Sequence, residues 1–105
     1  MNNSQIIAVN YPSLEEIAKK VSCRYEIDLD LILNNSSRNS IFERNLLIYL
    51  FMLNPRYKTA EKAEFLAVDS AAILKGYKRF VKKMGSDERI REEVRVISDE
   101  IYVKL

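Results

Sequence analysis

Histidine is absent from this chain of 105 residues. Its absence removes the commonest general base and the commonest metal ligand together. Neither a Cys–His zinc site nor a Ser–His or Cys–His nucleophile pair can be built. Cysteine occurs once, as Cys23. It cannot close an internal disulfide, which fits a reducing compartment, and it reads as a small apolar packing residue rather than a reactive thiol. Two glycines and two prolines are too few for the many tight turns of an all-β protein. Gly-rich phosphate loops, internal repeats and low-complexity tracts are missing as well. Met1 to Gln5 lack the basic and long apolar regions of a secretory signal, which predicts a cytoplasmic protein. With no reaction centre legible, the expectation is a non-enzymatic protein without a cofactor.

Apolar residues make up 48% and charged residues 30% of the chain, a balance that predicts one soluble domain with one core. The longest uncharged run is Leu46-Leu47-Ile48-Tyr49-Leu50-Phe51-Met52-Leu53. Extended back to Ser40, it is too long for a typical strand and far too short to cross a bilayer, so no membrane partner is expected. Ser40 and Glu43 make a capping-box start, and Asn54-Pro55 makes a stop. A helix that is apolar nearly all round must be covered on most sides. The fold class expected is therefore all-α: a compact bundle of about five to six helices around a central apolar helix.

Residues 1–12 read as an N-terminal arm, in which Ile6 to Val9 form a short strand or lie on the core. Residues 13–105 read as a single domain. Ser13 and Glu16 form a capping box, and Leu14, Ile17, Ala18 and Val21 follow at helical spacing to an end near Cys23–Tyr25. Glu26 to Leu31 alternate acid and apolar residues. Of a short strand, a carboxylate pair for a cation and a single-turn helix through Leu33 capped by Asp28, the last is the expectation; a Ca²⁺ or Mg²⁺ site needs more oxygen ligands than the stretch offers. Asn34 to Asn39 form a loop whose only charge is Arg38, with Arg44 one turn into the central helix. Beyond Pro55, Thr59 can cap a short helix. Asp69 or Ser70 caps a longer one to about Met84, with Ile73, Tyr77, Phe80 and Met84 in one apolar stripe. Gly85 closes it, and Ser86 caps a last helix whose stripe is Ile90, Val94, Ile97 and Ile101. That last stripe reads as core, with a small homodimer patch as the alternative.

The net charge of +2 conceals an asymmetry. Residues 56–84 carry eight cations against three carboxylates, whereas the flanking stretches are slightly acidic. A solvated helix face is the plain reading of such lysines; a surface for a polyanion is the functional one. The two helices that span 59–84 also suit a helix-turn-helix. Ala63 sits at the crossing, Leu66 and Val68 flank the turn, and Ile73 anchors the second helix. The turn position that often carries Gly is Ala67, where a left-handed backbone costs Ala on the order of 1 kcal/mol. A longer or differently shaped turn is therefore expected. Ser70, Ala71, Leu74, Lys75 and Lys78 would lie on the exposed face, with the N-terminal end of that helix entering a major groove.

In order and spacing, Ile17 to Ile101 resemble the C-terminal DNA-binding domain of the bacterial replication initiator DnaA, in the Trp-repressor-like group of helical folds. Asp28-Leu29-Asp30-Leu31 looks like the short helix before that family's basic loop, and Arg38 and Arg44 are similar in placement to two of its arginines. Asp69-Ser70-Ala71-Ala72-Ile73 occupies the place of the signature Asp-His-Thr-Thr-Val. Only Asp69 is retained identically; Ser70, Ala71 and Ala72 replace the residues whose donors read bases. The resemblance implies a helix-turn-helix fold and a double-stranded DNA partner. Arg38, Arg44, Lys58, Lys75, Lys78 and Arg79 would grip the backbone, and Asp69, Ser70, Ala71 and Ala72 would face the groove. The depleted signature supports a rival reading, a protein-interaction module derived from such a domain.

Overall fold

Local capping sets where each helix begins. The computed structural model describes residues 11–33 and 41–102, which form six helices and no strand: α1 (Leu14–Tyr25), α2 (Leu29–Leu33), α3 (Ile41–Met52), α4 (Thr59–Phe65), α5 (Ser70–Ser86) and α6 (Glu88–Ile101). Before α1 the Ser13 hydroxyl accepts from the Glu16 amide at 3.1 Å, and the Glu16 carboxylate accepts from the Ser13 amide at 2.9 Å. These bonds hold the Glu16 carboxyl below its ordinary pKa. Glu26 ends α1 with a left-handed backbone, φ 52°. Asp28 opens α2, accepting the Asp30 amide on its side chain and those of Leu31 and Ile32 on its carbonyl. The box expected at Ser40 lies outside the described residues, as do the 34–39 loop with Arg38 and residues 1–10 of the arm.

Two caps differ from expectation. Thr59 is already helical, and the residue before it, Lys58, donates its amide to the Glu61 carboxylate at 2.8 Å. Gly85 is not a left-handed terminator, because α5 runs on through Ser86 and Asp87 serves as the next cap. The reason lies across the turn: the Arg91 guanidinium donates to the carbonyls of Met84 (2.8 Å) and Gly85 (3.2 Å). A side chain of α6 thus satisfies the last carbonyls of α5, a task that a glycine turn would otherwise perform.

The uncharged run is the central post. Leu46, Leu47, Leu50 and Phe51 of α3 are fully buried, covered by α1, α2, α4 and α5. Ile73 and Phe80 of α5 are buried, with Tyr77 and Met84 half-buried beside them; Val94, Ile97 and Ile101 of α6 are buried, so this stripe is core. Ring contacts run Tyr25–Phe42–Phe80–Tyr49–Tyr77 at 5.5–5.9 Å between centroids and tie α1, α3 and α5 together. Where α5 crosses α3, a Cβ on Gly76 would stand 3.0 Å from Ile48 Cδ1. That close approach accounts for a glycine inside a helix, where it costs about 1 kcal/mol relative to Ala.

The termini of the bundle are fastened by polar contacts. Fully buried Asn54 donates to the Pro12 carbonyl and accepts from the Arg56 amide, both at 3.0 Å. Arg24 of α1 pairs with Glu93 of α6 at 2.8 Å, and the Tyr25 hydroxyl donates to the same carboxylate at 3.0 Å. Burial, helped by Glu93, pushes the Tyr25 hydroxyl up to about 12. Cys23, expected to pack, is exposed. It falls half a turn from the stripe of Leu14, Ile17, Ala18 and Val21 that α1 buries.

Lys62 of α4 is only 4% exposed and meets no carboxylate among the described residues. Burial lowers its pKa from 10.5. Replacing a lysine whose burial already disfavours its charge with an apolar chain of similar length should stabilise the protein. Lys62→Met is expected to raise unfolding free energy by about 1 kcal/mol at neutral pH. Because the unfolded chain holds this proton more tightly, the wild type gains stability as pH climbs to 10.5, and the advantage of the variant shrinks over that range. Urea denaturation of both proteins at pH 7 and pH 10 checks the sign and the trend.

Candidate functional site

The connection from α4 to α5 is four residues long, 66–69. The Val68 amide donates to the Ala63 carbonyl at 3.0 Å and the Ala67 amide to that of Glu64 at 3.1 Å. Both bonds belong to a Schellman ending, and Ala67 takes the left-handed conformation it requires, φ 57°. The short turn is therefore kept, contrary to the expectation of a longer or reshaped one. Two backbone bonds and the burial of Leu66 outweigh the strain on Ala67. Asp69 then caps α5, its carboxylate accepting the Ala72 amide at 2.7 Å.

From Ser70 to Ser86 there is no acidic residue. Ser70, Ala71, Ala72, Leu74, Lys75, Lys78, Arg79, Lys82 and Lys83 are all exposed, while Ile73, Gly76 and Phe80 turn inward. None of the five cations of α5 joins an ion pair: every ion pair among the described residues lies within or between α1 and α6. Lys58 and Arg56 add two exposed cations just before α4. The eighth cation of the basic stretch is Lys62, which burial removes from the surface.

A trough runs between α5 and the first turns of α3. Its upper part, about 300 Å³, is lined by Arg44, Ile48, Ala72, Lys75 and Arg79. The part near the end of α5, about 380 Å³, is lined by Phe42, Phe80, Lys82 and Lys83, and Ile41, Asn45 and Arg79 border both.

Arg44 has a different place from the one its sequence suggests. It is 8% exposed, and its guanidinium donates to the carbonyls of Ile32 (3.0 Å), Leu33 (2.9 Å) and Leu66 (3.1 Å). Burial lowers its pKa, though an arginine keeps its charge across ordinary pH. The group is committed to the ends of α2 and α4 rather than extended for a backbone phosphate. The signal was present: Arg44 shares a helical face with Leu47, Ile48 and Phe51, all buried. Gly76 and Lys62 were likewise missed; a glycine mid-helix was the available cue for the first, and the place of Lys62 one turn before Phe65 and Leu66 was the cue for the second.

Asp69 is occupied as a cap, Lys58 is exposed at the head of α4, and Ser70, Ala71, Ala72, Lys75, Lys78 and Arg79 share the open side of α5. Glu26, Asp28 and Asp30 are exposed around α2. No helix among the described residues is long and apolar enough to cross a membrane. No protein-family model and no curated protein matches this chain.

Three substitutions at two positions test the scaffold of this face. Ala67→Gly removes the left-handed penalty and should stabilise the protein by about 1 kcal/mol. Arg44→Ala leaves three carbonyls without their donor and should cost about 2–4 kcal/mol. Arg44→Lys should recover less than half of that loss, since one ammonium cannot span both helix ends. Urea midpoints for the three variants give the comparison.

Proposed function

We propose that this protein binds double-stranded DNA without catalysing a reaction, using α4 and α5 as a helix-turn-helix of the kind found in the DnaA C-terminal domain. The observation that carries the reading is the set of five exposed, unpaired cations on α5, a helix with no acid to offset them. Clustered cations of this kind match a polyanion, and folding alone gives no reason to gather them. The small residues Ser70, Ala71 and Ala72 at the start of α5 are exposed. Side chains of that size let a helix end approach base edges closely, and an alanine methyl can rest against the methyl of thymine. Lys58, Lys75, Lys78, Arg79, Lys82 and Lys83 would grip the backbone on either side. Arg44, held by carbonyls, would add its charge to the local field without reaching a phosphate.

Six phosphate contacts imply that affinity for a random duplex falls by roughly 10³ between 50 and 200 mM salt. Fluorescence anisotropy over that range measures the slope, and a flat response would remove the reading. Lys78→Glu should weaken binding about tenfold or more with helicity and melting temperature unchanged. Lys19→Glu, on α1 away from this face, should leave binding within about twofold.

A further inference from the structure

One part of the trough suits a ligand other than a duplex. Ile41, the first residue of α3, is 54% exposed, the most open large apolar side chain among the described residues. It stands beside half-buried Phe42 and over Phe80, in the hollow of about 380 Å³ whose other wall carries Arg79, Lys82 and Lys83. A sugar-phosphate backbone is polar and gains nothing from an isoleucine. A simple solvated lysine face would not gather apolar side chains between its cations. Free apolar surface bordered by unpaired charge of one sign is the pattern of a pocket for an apolar anchor flanked by opposite charge.

We propose that this hollow docks an acidic peptide segment of a protein partner. An aromatic or aliphatic side chain of the segment rests against Ile41 and Phe42, and its carboxylates meet Arg79, Lys82 and Lys83. The complementarity is local. The three cations have no carboxylate partner among the described residues, and Glu43, the one acid in the first turns of α3, lies on the other side of the helix from Ile41 and Asn45. Because Arg79, Lys82 and Lys83 are also offered to DNA in the proposed function, the peptide and a duplex would compete.

The test uses the full chain and two fluorescein-labelled peptides. One is a twelve-residue segment of Glu and Asp carrying two Phe four positions apart; the other has both Phe replaced by Ser. The first should bind about tenfold tighter than the second, from the apolar area that the Phe anchors bury. Ile41→Ser should erase most of that preference with the melting temperature unchanged, since the side chain is exposed. Lys82→Ser with Lys83→Ser should weaken both peptides alike, and unlabelled duplex should displace the Phe peptide. Equal binding of the two peptides would make the hollow a general electrostatic surface and overturn the proposal. So would binding of neither at low salt. A duplex that binds while neither peptide does would overturn this inference and leave the proposed function standing; the converse result would do the reverse.

Discussion

The structure turns on one side chain, Arg44. Its guanidinium reaches from the first turn of α3 to the last carbonyls of α2 and to the Leu66 carbonyl that ends α4. Helices of five and seven residues do not persist alone, because the cost of nucleation exceeds what so few backbone bonds return. Their C-terminal carbonyls carry partial negative charge and want donors. A planar fork with five donors supplies both helices at once. The same bond to Leu66 fixes the start of the 66–69 turn, and so the point from which α5 sets out.

From that point two small residues determine how α5 lies. Ala67 accepts a left-handed backbone so that the chain can reverse within four residues. Gly76 lets α5 come within contact of Ile48, where a Cβ would stand only 3.0 Å from Cδ1 and push that side chain aside. With Ile73 and Phe80 seated in the core, the opposite side of α5 must face outward over four turns. That side carries Lys75, Lys78, Arg79, Lys82 and Lys83 at spacings of three and four, where like charges repel by a few tenths of a kcal/mol per pair. The helix bears this repulsion because its buried stripe is worth more.

Features set by neighbours in the chain were legible in the sequence. The Ser13–Glu16 box, the start of α2 at Asp28, the stripes of α5 and α6 and the covered post at Leu46–Phe51 all follow from local spacing. Features set by distant partners were not. Arg44 finds carbonyls 11, 12 and 22 positions away, so its basic character suggested a ligand when its helical position already pointed inward. Gly85 looked like a terminator until Arg91 took up the free carbonyls. Lys62 shows the same gap, since its charge and its acidic neighbours suggested solvent while its place one turn before Leu66 put it on the covered face.

The division between residues that hold the fold and residues that do not also sorts the arguments for function. Asp69 is the one residue identical to the signature in the proposed likeness to DnaA, yet its carboxylate is occupied by the Ala72 amide. Capping alone explains an aspartate there, so its retention says little about reading bases. Arg44 is similar in placement to an arginine of that family, and here the carbonyl fork accounts for it fully. The cations of α5 stand apart from both. They cap nothing, pair with nothing among the described residues and repel one another. Under the proposed function these cations meet a partner outside the chain, and their uniform sign suits an anionic one. The charge and position of these side chains suit the proposed duplex along the whole helix and, at the end bordered by Ile41, the proposed acidic peptide as well.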